Sequence, residues 1–395
     1  MQPLEKTDGR TALTPSHIES QTISWLRFPL IICVVFIHNP QLSQDLYPPL
    51  ADGITPQIAG DYFRIWISWV LCHVAVPCFF VISGFLFFKK TPDLSVSIYM
   101  EKMRKRFHTL VIPYLLWNLI AFLVILMVKS HVMWSQGAGW GGYLHVCRQY
   151  MADNGWLDIF WGCSRWGGYF SGWLGNEVWH TGPYNLPLWY IRNLIMVCLF
   201  SPLVYWTIKK LGGWTILLLS VMYFGNIDVP VPGLDASTLL FFSIGSYFAI
   251  NRMSMISEFR KVEKPCYVMA AVAMIFATAF QAPHTETGYY FYCVYVIAGV
   301  VCVFNIASRL VKAGRVRIHP LLTGSVFFIF AFHTDWIVNL YNLMLNKAFA
   351  LAGLNPVNLF TYLTTPFVKT AICVVVYYLL MRWFPRIGKV LTGGR

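Results

Sequence analysis

The residues of this sequence that could do chemistry sit inside apolar runs. Arg27 is followed by ten residues and then His38, both within a stretch that reads as a first membrane span. Eleven residues make three helical turns, so the two side chains share one face, roughly 16 Å apart along the axis. Ionisable groups inside a span are costly and mark function by default. An imidazole titrates near neutrality and is the natural general base there. The plain alternative is a structural histidine satisfied within a helix core. Three further polar groups fall at membrane depth: Arg192 in a fourth span, and His333 and Asp335 near the outer end of a ninth. Arg192 either binds an anionic group or pairs with Asp335. His333 is either an interfacial side chain or part of a site. Lys369 can snorkel and is given no role. Neither a Gly-x-Ser-x-Gly elbow nor a paired carboxylate occurs, which opposes a hydrolase. The absence of a phosphate-binding Gly-Lys-Ser/Thr loop opposes an ATP-driven pump.

The elements that must position these residues are apolar helices. Only 12% of the 395 residues are charged and 57% are hydrophobic, half the polar share of a soluble domain. A span needs about 20 apolar residues. Candidate spans run near 23–40, 65–88, 110–128, 187–208, 214–226, 236–250, 266–281, 289–307, 321–340 and 363–382. The fold class is therefore all-α, a polytopic bundle of about ten transmembrane helices. The domain plan is a cytoplasmic tail (1–22), one transmembrane domain (23–382) and a second tail (383–395). The first tail lacks the apolar stretch and cleavage site of a signal peptide.

Charge placement sets the orientation. With the N-terminus inside, 23 of the 30 Lys and Arg fall on the cytoplasmic side, as the positive-inside rule demands of an even span count with both termini cytoplasmic. The net charge of +13 arises from these short basic stretches, so no nucleic-acid partner is expected. One long connection, 129–186, falls outside and is rich in Trp and Gly. Its aromatic faces suit either stacking on sugar rings or interfacial anchoring. Ten scattered Cys lack ligand spacing, so no metal site is expected. Cys147 and Cys163 share the long loop; unpaired thiols are expected, with a bridge between them as the alternative.

Five motifs in order resemble the membrane-bound acyltransferase-3 family. They are Arg27 with His38, then Val76-Pro77-Cys78-Phe79-Phe80-Val81-Ile82-Ser83-Gly84-Phe85, then Lys102-Met103-Arg104-Lys105-Arg106 before Ile112-Pro113-Tyr114. Leu188-Trp189-Tyr190-Ile191 and Phe332-His333 complete the series. The resemblance implies a ten-span enzyme of the cytoplasmic (inner) membrane. It would move an acyl group, most commonly acetyl from acetyl-CoA, onto a hydroxyl of a sugar, glycan or lipid-linked sugar. It implies His38 as catalytic base with Arg27 as its partner in the donor tunnel. Arg104, Lys105 and Arg106 would meet the CoA phosphates, joined on the donor side by Ser83 and Arg192. Trp189, Tyr190, His333 and Asp335 form the candidate acceptor set. Thr109 departs from the pattern, standing where a second basic residue is expected.

Residue chemistry is consistent with that resemblance, since CoA is a cytosolic polyanion and the most basic loop, Lys89 to Arg106, faces the cytosol in this threading. The competing class is a transporter of a small polar solute or a lipid-linked sugar, which explains spans and charges equally well. It would be expected to show two matched, helix-broken halves, and no such repeat is visible. The threading predicts that tags at Met1 and Arg395 are protected from impermeant reagents in intact cells. Cys placed at Gly141 and Asp153 should react, and labelling of either terminus would refute the ten-span orientation.

Overall fold

The computed structural model describes residues 14–39, 53–137, 139–153, 159–171, 177–229, 231–282, 284–334, 337–353 and 359–394. In chain order the helices are α1 (Pro15–Ile37), α2 (Pro56–Ile65), α3 (Ala75–Phe88), α4 (Val96–Arg106), α5 (Ile112–Ser135) and α6 (Gly139–Asp153). An antiparallel ribbon follows, β1 (Cys163–Ser171) with β2 (Glu177–Gly182). Then come α7 (Trp189–Leu199), α8 (Ser201–Leu211), α9 (Gly213–Phe224), α10 (Ala236–Ile250), α11 (Met255–Lys261) and α12 (Glu263–Ala279). The series closes with α13 (Glu286–Lys312), α14 (Pro320–Phe332), α15 (Ile337–Leu351), α16 (Leu359–Trp383) and α17 (Pro385–Leu391).

Each apolar run read from the sequence is occupied by a helix, and the chain is a helical, polytopic membrane protein. Among the described residues five helical runs are long and apolar enough to cross a bilayer: Pro15–Ile37, Pro56–Phe88, Val96–Val128, Glu286–Lys312 and Leu359–Trp383. Two more crossings arise if each bent pair is one span, α7 with α8 at 60° and α10 with α11 at 109°. The first bend has a local cause. Pro202 lies in the opening turn of α8 and cannot donate to the preceding helix. The remaining sequence-predicted spans are short helices, among them α9 and α14.

Two boundaries differ from the sequence reading. Helix α1 starts at Pro15, eight residues before the expected span, because Thr14 accepts from the His17 amide and Pro15 fits the first turn. The long 129–186 connection is also not a plain loop. It carries the end of α5, all of α6 and the ribbon, the one two-stranded element among the described residues. Trp134 and Trp140 meet edge to face at 4.9 Å, with Trp140 exposed.

The chain divides into two compact units. The first comprises Met1–Pro92, Ile244–Val326 and Asn339–Val374. In it α1 packs on α3 and α13, and on the π-helical turn Trp66–Val70 and the 3₁₀ turn Leu71–Val74 that join α2 to α3. Helices α12 and α13 form a hairpin, with Phe276, Phe280 and Phe291 stacked in parallel. The Ser83-Gly84-Phe85 motif sits where Gly245 approaches the backbone of Val81 and Phe85 so closely that a Cβ there would collide with the Val81 carbonyl. The second unit comprises Asp93–Ser243, Phe327–Val338 and Val375–Arg395. There α5 packs on α6 and α17, and α4 on α7. Trp117 donates to the Leu391 carbonyl at 2.9 Å and packs its ring on Phe328 and Phe332.

Candidate active site at the end of the first helix

A helix leaves its last carbonyls without intrahelical donors, and inside an apolar body these must find partners. The residue before a proline disfavours helical backbone, and Asn39 precedes Pro40, so α1 stops at Ile37 with His38 as its cap. His38 thus stands just past the helix rather than in the middle of a span. Its amide and its ring both return to the Val34 carbonyl, at 3.3 and 2.9 Å. A carbonyl only accepts, so Nδ1 carries the proton and Nε2 is the basic nitrogen.

The Phe36 carbonyl takes the Asn39 amide at 3.1 Å and the Ser68 hydroxyl at 2.8 Å. Ser68 lies 2.8 Å from the hydroxyl of Tyr362, which also reaches the Arg64 carbonyl at 3.2 Å. Tyr362 is fully buried, and its ring meets Phe36 edge to face. Arg64 lies over that ring and pairs with Asp61 at 2.7 Å, both side chains almost wholly buried. The Arg64 charge is neutralised internally, three residues from its partner on α2.

Lys369 departs from the sequence expectation. It is the eleventh residue of α16, only 2% exposed, and its ammonium donates to Asn39 Oδ1 at 2.9 Å. A lysine that far from either helix end has no interface within reach, so snorkelling does not describe it. Asn39 Nδ2 points to the Tyr362 carbonyl at 3.5 Å. In the first unit, the residues placed around His38 are therefore Asn39, Lys369, Ser68 and Tyr362. Arg27 is half-buried on α1, three turns before His38, and Ser83 is half-buried on α3.

The second unit holds the remaining predicted site residues. Arg104 and Arg106 line a groove of about 320 Å³ whose walls are otherwise apolar, Met100, Phe107, Ile195 and Leu199 among them. Lys105 does not line it and pairs with Glu101 at 2.6 Å on the exposed face. Thr109 donates its hydroxyl to the Lys105 carbonyl one turn back along the chain. Tyr190 is buried against Phe330, and Trp189 opens α7 half-buried. Arg192 donates to the Trp161 carbonyl at 2.6 Å and to Asn193 Oδ1 at 3.2 Å, beneath the Trp161 ring. Asn193 in turn donates to Asp235 and Thr238. Asp335, the acid expected for Arg192, lies outside the described residues.

His333 is 2% exposed, so it is a buried group and not an interfacial one. It ends α14 as His38 ends α1, with Nδ1 directed to the Ile329 and Phe330 carbonyls at 2.9 and 3.1 Å. Cys147 is a free thiol 3.4 Å from Ser130 Oγ.

Comparison with known proteins places this arrangement. The chain matches the acyltransferase domain of the acyltransferase-3 type over residues 21–382. It belongs to that family. It is similar to the succinoglycan biosynthesis protein ExoH of Rhizobium meliloti (strain 1021), 27% identical over 396 aligned residues that cover 95% of this chain and 92% of the relative. No solved structure matches. The protein is a multi-pass membrane acyltransferase, with its helical frame and its family domain spanning the same residues.

The Asp61–Arg64 pair gives a direct test of how the first unit is held. Asp61→Ala strands a buried guanidinium and should cost roughly 3–5 kcal/mol, read as a lower thermal unfolding midpoint in detergent. The double change Asp61→Leu with Arg64→Met removes both charges and should recover most of that loss. A single change without effect would mean that the pair is solvated.

Proposed function

We propose that this acyltransferase moves an acyl group, with acetyl the expected one, from cytoplasmic acyl-CoA to a hydroxyl of an extracytoplasmic or lipid-linked glycan in the cytoplasmic membrane. Both termini would face the cytoplasm, in a ten-span arrangement. Family membership supports acyl transfer. The relative named for succinoglycan biosynthesis supports a polysaccharide acceptor. The observation that carries the mechanism is the pose of His38, whose Nδ1–H is committed to Val34 and whose basic nitrogen is Nε2.

In this mechanism the acceptor hydroxyl gives its proton to His38 Nε2 while its oxygen attacks the thioester carbonyl carbon. The tetrahedral oxyanion collapses, the carbon–sulfur bond breaks, and the departing thiolate takes the proton back from the imidazolium. One ester and one CoA thiol result, and His38 is neutral again. Arg104 and Arg106 bind donor phosphates, where guanidinium forks give paired, charge-assisted hydrogen bonds. Arg27 holds the donor in its tunnel. Trp189, Tyr190 and His333, with Asp335, serve the acceptor, and Ser83 and Arg192 the donor.

The expected outcome for His38→Ala, assayed with purified protein in proteoliposomes, is a loss of roughly two to four orders of magnitude in transfer with CoA binding retained. Arg104→Gln with Arg106→Gln should weaken CoA binding by about 1.5–3 kcal/mol per lost contact. Lys105→Gln should change little, because its charge is already paired with Glu101. Near-normal transfer by His38→Ala would reject this mechanism and make His333 the next base to test. Loss of solute uptake with no transferase chemistry in any variant would favour a transporter.

A further inference from the structure

Lys369 carries a charge at a depth where charges are expensive. Burying an ammonium costs several kcal/mol even after relaxation, and a good ion pair is the usual compensation. Among the described residues no carboxylate pairs with Lys369. Its partner is the neutral side chain of Asn39, at 2.9 Å. An ammonium has only donors, so it fixes which end of the Asn39 amide it meets. Oδ1 faces Lys369, and Nδ2 is left to point toward the Tyr362 carbonyl. Asn39 follows His38 directly, and its backbone amide closes the last turn of α1 on Phe36. Helix α1 has ended at Ile37, so it no longer dictates the backbone at Asn39. The bonds on the His38–Asn39 peptide include the return of His38 to Val34, the Asn39 amide on Phe36 and the Lys369–Asn39 bond, and of these only the last comes from a distant helix.

We propose that Lys369, acting through Asn39, is the positioning residue for His38. The inference rests on the reading of His38 as the base. A purely structural lysine would be poorly chosen for this position, since an apolar residue of the same length fills the space without the burial cost. A rigid, charge-assisted anchor one residue from the base instead keeps the imidazole where a hydroxyl proton can reach it. Misplacement of a reacting group by about 1 Å is enough to cost roughly 10²-fold in rate.

The test uses the full-length protein in proteoliposomes, with acetyl-CoA as donor and purified envelope polysaccharide as acceptor, read as CoA thiol released. Lys369→Met and Asn39→Ala should each lower kcat by roughly 10²-fold with the KM for acetyl-CoA nearly unchanged. Because both act on one anchor, the double variant should be no slower than the worse single one. Lys369→Met removes a buried charge but leaves Asn39 Oδ1 without that donor, so its unfolding midpoint should stay close to that of wild type. Lys369→Arg, which keeps a donor toward Asn39, should turn over faster than Lys369→Met. Wild-type kcat in Lys369→Met, with His38→Ala inactive, would overturn the inference and leave the proposed reaction standing. Multiplicative losses in the double variant, or a loss that tracks falling stability, would also overturn it. Normal transfer by His38→Ala would instead remove the reading on which it rests.

Discussion

The end of α1 is where a helix terminates inside apolar surroundings, and its last carbonyls have to be answered by side chains. The Val34 carbonyl is answered by His38 and the Phe36 carbonyl by Ser68 and Asn39. Each of these groups is then tied to something else. Ser68 is tied to Tyr362, Tyr362 to Arg64, Arg64 to Asp61, and Asn39 to Lys369. A requirement of backbone chemistry has thus gathered polar side chains from α1, α16 and the turns after α2 in one place. The imidazole that caps the helix acquires a fixed tautomer as a by-product. The base proposed for acyl transfer would need that tautomer held before substrate arrives, and the bonds that end the helix hold it.

The basic groove at Arg104 and Arg106 follows a different logic. Charges on the last turn of α4 are favoured by the helix dipole and by the positive-inside rule, and neither requires a ligand. What distinguishes Arg104 and Arg106 from Lys105 is that they border a concave, mostly apolar surface, whereas Lys105 is already paired. A donor with an anionic head and an apolar acyl end has matching chemistry. That contrast gives the donor proposal content beyond the count of basic residues.

Much of this was legible from sequence, and the limits have physical causes. The Arg27–His38 spacing is local, so helical periodicity is enough to set the two three turns apart, although α1 ends one residue before His38. The apolar runs gave the helices because bilayer thickness imposes a length on them. The start of α1 at Pro15 was missed because hydropathy does not register a capped, polar first turn. The burial of Lys369 is decided by a partner distant in sequence, since it meets Asn39 across 330 positions. The only local sign is a lysine well inside an apolar run, more than two helical turns from either end of α16. Ser68 and Tyr362 gave no sign at all, since a serine and a tyrosine in apolar runs are ordinary. The 129–186 segment was read as a loop because Gly and Trp interrupt both periodicities, although it folds into a helix and a ribbon.

The central claim is that this membrane protein esterifies hydroxyls of an envelope glycan. Mass spectrometry of envelope polysaccharide, before and after mild alkali, in cells with and without the gene measures that most directly. The account predicts that base-labile acyl substituents are present in the wild type, absent from the deletion strain and restored when the intact chain is returned. Unchanged acyl substitution in the deletion strain, with the same polysaccharide made in the same amount, would contradict it.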